Sequence, residues 1–497
     1  MTSDAVGPSP FAAALRRGEG MRLGQAASQL AVFAAIALWT TLVHLPTFFR
    51  EDADDAFFLE AARLWTEGLP PYVAVYDVKG PGGFAWLAVA VALFAPTLAA
   101  LKILAIAASS VAATALYRIC ARYDRAAAIA CAALYPILMV VCGDVVYQTM
   151  NATLLVGFAL TFGAPLDRRR AAAAGLAIGF ACAIKQTCAI DALAVGWLLW
   201  TADTPRGERL RALAAFAAAL PVALAAFLLY YALRGEAAAF VDDVAFAALR
   251  RNADLPLGAA LHAWAECLFP VSAALILAAA AWTRAAAIEA RFPLRAATMW
   301  LGLEIVGMAA QRAGCSTYVA PLIAPALMIA TVAVSAMFGA ASARRRAVAL
   351  AAFGGLVFAS AMAGRGLAIL EKMPTVDYAR LDQLKAAVEA TGPRRDDRLL
   401  AVNGSAFVNI VTDLRPPTRF FHWAHILCDF PGAGLPALRA DLAAKPRYIV
   451  FDDPDRRPAC EPPAYAEAIQ EALARDYALA AEGRTAASSY RLYQRTP

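Results

Sequence analysis

Apolar runs of about 18 residues or more recur from Ala27 to about residue 367, and short arginine clusters separate them. In hydrocarbon a backbone must satisfy its own hydrogen bonds, and a run of that length does so as a membrane-crossing helix. The pattern excludes an ordinary soluble fold. Composition agrees, since 61% of the 497 residues are hydrophobic and only 17% are charged, against about a quarter charged in soluble domains. The net charge of +6 does not point to nucleic acid, because the arginines are dispersed between apolar runs, as cytoplasmic loop anchors are. The nine cysteines show no metal-type spacing. Seven of them lie in or beside apolar runs, where cysteine packs as a small hydrophobe.

Charge counting sets the topology. Residues 1–26 form a polar segment with Arg16, Arg17 and Arg22 just before the first run, which places it in the cytoplasm. The run from Ala27 to Pro46 is followed by no small-residue cleavage site and reads as a retained span. With the later basic clusters inside, the region 27–367 carries about eleven spans. The run Phe84 to Ala95 is only 12 residues, too short to cross. Between two cytoplasmic clusters lie only 31 apolar residues, Ala171 to Thr201. They form a hairpin of two crossings, each about 22 Å, whose tip, Lys185-Gln186-Thr187, sinks below the outer surface. A lysine at that depth costs about 2.5–3.5 kcal/mol and needs a partner or an aqueous cavity. From residue 368 the composition becomes that of a soluble domain. A helix over Val376 to Ala390 and strands over Arg398–Val402 and Arg447–Phe451 predict a small outer α/β domain, 368–497. Cys428 and Cys460 within it are able to pair in an oxidising compartment.

The first outer loop, 48–83, holds an unusual cluster of acids: Glu51, Asp52, Asp54 and Asp55. Carboxylates between membrane spans are functional candidates by default. From Ala56 to Trp65 apolar residues recur at helical spacing opposite Glu60 and Arg63, which predicts an amphipathic juxtamembrane helix lying on the membrane surface. Tyr76-Asp77-Val78-Lys79-Gly80-Pro81 follows. Under this topology four elements converge on the outer leaflet: the acids, Asp77 to Pro81, the tip Lys185-Gln186, and Gln311-Arg312 with Tyr318. A carboxylate there can take a proton from a nucleophile, and the cations can hold a phosphate as it leaves. Simpler readings exist. Asp54 is also a good helix N-cap, Lys79 a good snorkelling residue and Arg312 a good interfacial anchor, but capping does not account for a cluster of acids. His44 and His262 read as structural, and Arg250, Arg251, His422 and His425 as loop residues.

The same residues carry a resemblance. Asp54-Asp55-Ala56-Phe57-Phe58 to Gly68, then Tyr76 to Pro81, resembles the first outer loop of bacterial GT-C glycosyltransferases of the family 39 type, the protein-mannosyltransferase-like and aminoarabinose-transferase-like proteins. Gly175 to Gln186 is similar to a second family stretch, and Gln311-Arg312 with Tyr318, Pro321 and Pro325 to a third. The resemblance runs in order over about residues 45–340. It implies an α-helical polytopic membrane protein with a small C-terminal α/β domain, in a bacterial inner membrane, with that domain in the periplasm. It implies inverting transfer of a sugar from a polyprenyl-phosphate donor to a periplasmic acceptor, which is a lipid, a glycan or a protein. Asp54 matches the loop carboxylate that acts as general base, with Asp55 beside it in the catalytic pair. Lys79 matches the lysine that binds the donor phosphate, supported by Lys185, Arg312 and Tyr318, with Asp52, Asp77, Gln186 and Gln311 around them.

Two departures stand out: Asp-Asp replaces the common Asp-Glu, and Lys79-Gly80-Pro81 replaces the common Lys-Pro-Pro. Asp52 and Asp54 form a D-x-D spacing that binds metal in other glycosyltransferases. A polyprenyl phosphate leaves without one, so no cofactor is expected. The residues by themselves leave the choice among Asp52, Asp54 and Asp55 open. They also leave room for a transporter or lipid flippase, although no inverted repeat is evident, and for a non-catalytic assembly subunit.

Overall fold

Alternating apolar run and basic cluster folds into a helical bundle. The computed structural model describes residues 10–50, 53–164, 166–250, 256–289, 292–311, 316–338, 342–372, 375–402, 406–421, 434–452, 463–485 and 488–497. Its first helices are α1 (Pro10–His44), α2 (Ala53–Thr66), α3 (Pro81–Phe94), α4 (Leu98–Cys120), α5 (Arg125–Cys142), α6 (Val145–Thr161), α7 (Arg168–Ile184) and α8 (Ala189–Thr201). Then come α9 (Arg206–Ala219), α10 (Val222–Leu233), α11 (Leu257–Leu268), α12 (Ser272–Ala280), α13 (Leu294–Ala310), α14 (Ala320–Met337) and α15 (Ala343–Ala361).

Among the described residues, 7 helical stretches are long and apolar enough to cross a bilayer: Ala27–Thr47, Leu98–Cys120, Arg125–Cys142, Arg206–Leu233, Leu257–Glu289, Thr317–Met337 and Ala343–Leu370. The remaining expected spans are the shorter helices α6, α7, α8 and α13. α6 packs between α4 and α7, and α13 packs on α8 and α14, so neighbours satisfy what length does not. The starts of the inner helices are fixed by side-chain caps. Asp124 accepts from Ala127 N at 2.8 Å to open α5, and Asp144 accepts from Tyr147 N at 2.8 Å to open α6. The short run that was expected not to cross is α3, a helix of 14 residues opened by Pro81 and packed on α2, α4 and α7.

α2 departs from expectation. Its apolar face is buried as predicted, but Glu60 and Arg63, expected to face water on the membrane surface, are buried as well. Arg63 Nη2 lies 2.7 Å from Glu60 Oε1, and Arg63 Nη1 lies 2.6 Å from Glu67 and 3.0 Å from Asp413. The C-terminal part covers the polar face, so α2 is sandwiched and does not lie open on the bilayer. A helix-period reading sees one apolar stripe and has no means of seeing a lid contributed from 350 residues further on.

The C-terminal part contains α16 (Tyr378–Ala390), β1 (Leu399–Val402), α17 (Phe407–Thr412), α18 (Gly434–Ala443), β2 (Tyr448–Asp452), α19 (Pro463–Asp476), β3 (Tyr477–Arg484) and β4 (Ser489–Arg495). The sheet order is β1-β2-β4-β3, with β1 and β2 parallel and the rest antiparallel. Side chains alternate across it. Leu400, Val402 and Ile449 pack with Leu438, Tyr465 and Ile469 of α18 and α19, while Leu399, Tyr448, Val450 and Leu492 join the main core. Both predicted strands are present. The β3–β4 hairpin was not foreseen, because Tyr477 to Arg484 alternates weakly and is largely exposed.

Candidate active site

Asp54 and Asp55 occupy the first turn of α2. Consecutive helix residues point about 100° apart, so the two acids face different neighbours. Asp54 faces the Tyr72–Pro81 loop, where Lys79 Nζ lies 3.7 Å from its Oδ2 and 3.5 Å from Asp77 Oδ2. The same ammonium sits 4.9 Å from the centre of the Phe58 ring. Asp77 Oδ1 accepts from Lys79 N at 3.0 Å, and the Tyr72 hydroxyl donates to Lys79 O at 2.7 Å, so the loop backbone is fixed on both sides of the lysine. Asp55 instead accepts from Lys102 Nζ of α4 at 2.6 Å. The exposures separate their roles: the Asp54 side chain is 34% accessible and that of Asp55 only 2%. Lys102 was missed from sequence. It stands as the one cation inside the apolar run 99–117, which is the signal that was available.

Lys185 lies where expected, at the break between α7 and the short turn Gln186–Cys188 that leads into α8. It has the partners that its depth demands. Its ammonium meets the Tyr147 hydroxyl and stands 4.3 Å from the Tyr147 ring centre and 3.8 Å from that of Tyr318. Tyr147, on α6, was not singled out from sequence. The turn also grips the Lys79 loop. Gly80 N donates to Ile184 O at 2.9 Å, and Gln186 Nε2 donates to Val78 O at 2.8 Å and to Val244 O at 2.7 Å. This accounts for the departure to Lys-Gly-Pro. A proline at position 80 has no N–H to give Ile184, and a Cβ there would lie 2.1 Å from Ala183 O. Gln311 is not brought to this cluster by its amide, which donates to Gly307 O at 3.1 Å within its own helix. Asp52, Arg312, Arg251, His422, His425, Cys428 and Cys460 lie outside the described residues.

The C-terminal part straps the loop from above. Arg415 pairs with Glu67 at 2.9 Å, Tyr76 N donates to Arg419 O at 2.8 Å, and Phe421 packs on Phe57 at 5.6 Å between ring centres. Arg419 is the centre of the strap. Its Nη1 donates to Tyr72 O at 2.5 Å and to Asp243 Oδ2 at 2.7 Å, and its guanidinium lies 5.2 Å from the Tyr76 ring. Burial pushes the Asp243 carboxyl up to about 7, opposed by the neighbouring Arg419. Among the described residues no three His, Cys, Asp or Glu side chains converge as a metal ion would require.

No protein-family model and no curated protein matches the sequence. Solved structures do match. ArnT from Cupriavidus metallidurans bound to undecaprenyl phosphate superposes with a TM-score of 0.61 at 17% identity, over 94% of this chain and 98% of that one. Its apo state gives 0.58 at 16% identity over the same shares. This chain has the fold of ArnT. That is the GT-C fold expected from the loop residues, and coverage of 94% takes in the ArnT-like membrane helices and the C-terminal α/β part together.

Proposed function

We propose that this chain is an integral-membrane glycosyltransferase that moves a sugar from a polyprenyl-phosphate donor to an acceptor at the periplasmic face of a bacterial inner membrane. Its N-terminus is cytoplasmic and its C-terminal domain periplasmic. The observation that carries the reading is the meeting of the accessible Asp54 carboxylate with the Lys79 ammonium, near the buried Lys185. Asp54 is the general base and takes the proton of the acceptor hydroxyl or amine. The acceptor attacks the anomeric carbon from the face opposite the phosphate, so the transfer inverts. The bond from that carbon to the phosphate oxygen breaks, and its electron pair leaves on the polyprenyl phosphate. Lys79, Lys185 and Arg312 neutralise the charge that collects there, and the Tyr318 hydroxyl donates a hydrogen bond to it. In the resting site Lys79 is shared between Asp54 and Asp77. A donor phosphate draws it away from Asp54 and frees the base. Asp55, held by Lys102, positions the start of α2. Support comes from this geometry, from the ArnT fold, and from an ArnT structure that holds undecaprenyl phosphate.

The test uses detergent-solubilised membranes supplied with a labelled polyprenyl-phosphate sugar and candidate acceptors. Asp54→Asn is expected to lower transfer by about 10²–10⁴ without changing expression or melting. Full activity in that variant removes Asp54 from the mechanism. No transfer by the wild-type chain from any donor returns the field to transport or flipping.

A further inference from the structure

Two carboxyl side chains lie together deep in the helical bundle, and the transfer described above uses neither. Asp191 stands in the first turn of α8, and Glu304 stands on α13, the helix packed against it. They are 1% and 5% exposed. Trp300, one turn before Glu304, donates its indole N–H to both, at 2.9 Å to Asp191 Oδ1 and 3.2 Å to Glu304 Oε1. The two carboxyls also hydrogen-bond each other. Among the described residues no lysine or arginine forms an ion pair with either.

An ionised carboxylate only accepts hydrogen bonds, so a direct bond between two carboxyls needs a hydrogen of its own. Like charges held this close, out of water and without a cation, do not both persist. Ionisable side chains inside membrane-spanning helices are expensive and mark a function by default. The position of this pair says which function. Asp191 follows the Gln186–Cys188 turn, where Cys188 N donates to Lys185 O at 3.1 Å. α6 meets the same assembly twice. Its Tyr147 hydroxyl holds the Lys185 ammonium, and its Phe158 stacks on Trp300 with ring centres 3.7 Å apart and planes at 17°. Tyr147 and Phe158 are about three helical turns apart, so they share one face of α6.

Lys185 is assigned to the donor phosphate, and a charge-assisted bond to phosphate needs an approach of about 2.7–2.9 Å. We propose that Asp191 and Glu304 hold one proton between them and are the positioning pair that sets Lys185 for the donor. The proposal rests on the glycosyltransferase reading. The proton bridge pins the start of α8 to α13. Trp300 and Phe158 carry that register to α6, and Tyr147 and Lys185 meet at the outer end of the same helix. A slide of α8 against α13 breaks the bridge and takes the Lys185 turn with it. Both acids act through the turn and not on the substrate.

Two measurements on the full chain in detergent test it. Infrared difference spectra, wild type minus Asp191→Asn and wild type minus Glu304→Gln, are expected to show a protonated-carboxyl C=O band that both substitutions remove or shift. A band moved by neither overturns the shared proton. Initial-rate kinetics with a labelled polyprenyl-phosphate sugar reads the positioning. Glu304→Ala is expected to raise the donor KM about tenfold with kcat changed less. Glu304→Gln, whose amide carries its own hydrogen, is expected to restore most of the loss. Trp300→Phe keeps a ring against Phe158 but loses the shared N–H, and is expected to fall between them, so the test survives an alanine variant that fails to fold. Either change added to Lys185→Gln is expected to cost little more, since an ammonium already removed cannot be misplaced. Unchanged donor KM in both Glu304→Ala and Trp300→Phe, or losses that add in full to that of Lys185→Gln, overturns the positioning role. A chain that shows the carboxyl band yet transfers sugar from no donor loses the glycosyltransferase reading, while the shared proton stands.

Discussion

Lys79 Nζ meets Asp54 Oδ2 at 3.7 Å, with Asp77 Oδ2 at 3.5 Å on its other side. Neither contact is a short hydrogen bond, and the lysine side chain keeps 11% of its surface. The ammonium therefore stands between two carboxylates, each at a distance that a phosphate oxygen can better. Charge-assisted hydrogen bonds are worth about 1.5–3 kcal/mol. Lys79→Gln is accordingly expected to weaken the donor by about 10- to 100-fold, seen as a raised donor KM in solubilised protein. Lys79→Arg should recover part of the loss. A Gln variant with unaltered donor KM would mean that the phosphate sits elsewhere.

Gly80 locks the lysine loop to the end of α7. Its missing Cβ would lie 2.1 Å from Ala183 O and 2.8 Å from Ala183 C, both backbone atoms that cannot swing aside. Gly80→Ala is expected to push the loop off α7, and a displacement of about 1 Å in a positioning element can cost about 10²-fold in rate. Gly196, where an added Cβ would meet nothing within 4 Å, is the control. Gly196→Ala should leave transfer unchanged. Single-turnover rates of the two variants, measured side by side, decide the matter.

The strap gives a different kind of handle. Arg419 Nη1 bonds both Tyr72 O and Asp243 Oδ2, and its guanidinium stacks over Tyr76 and Phe420. Arg419→Ala leaves the fully buried Asp243 without that cation and is expected to loosen the loop by about 2–3 kcal/mol. Limited proteolysis should then cut within residues 68–80, with slower transfer. Arg419→Lys keeps the charge but loses the planar stack and the forked donor, so it should rescue poorly. Protection equal to wild type in Arg419→Ala would show that the strap is not what orders the loop.

How much of this was legible in the sequence follows from the reach of each signal. The bundle was readable because apolar length and arginine placement are local properties, and Lys185 was readable because a lysine in a 31-residue hairpin has nowhere else to be. The α2 cover was not, since Asp413 and Arg419 reach the first loop from some 350 positions away and no periodicity records that. Lys102 was hidden by its surroundings, an isolated charge inside an otherwise ordinary span. The distinction between Asp54 and Asp55 could not be drawn from adjacent identical letters. It depends on which side of α2 faces α4, where Lys102 waits, and which faces the loop.

Asp441 supplies a pH-dependence that belongs to the C-terminal part alone. It is fully buried on α18, Thr418 donates to its Oδ1, and among the described residues its Oδ2 has no hydrogen-bond partner. Burial pushes this carboxyl up to about 7, whereas in the unfolded chain it titrates near 3.9. Between those values the native state holds a proton that the unfolded state has released, so stability falls as pH rises through the window. The contribution is full below about pH 4 and gone above about pH 7, with a ceiling of about 4 kcal/mol for a shift of about three units. Asp441→Asn carries no such proton. The melting temperature of the wild-type chain, followed by intrinsic fluorescence in detergent, is expected to drop relative to Asp441→Asn between pH 5 and pH 7 and to run parallel to it above pH 8. Curves that stay parallel across the whole range would mean that Asp441 ionises as an ordinary surface carboxylate does.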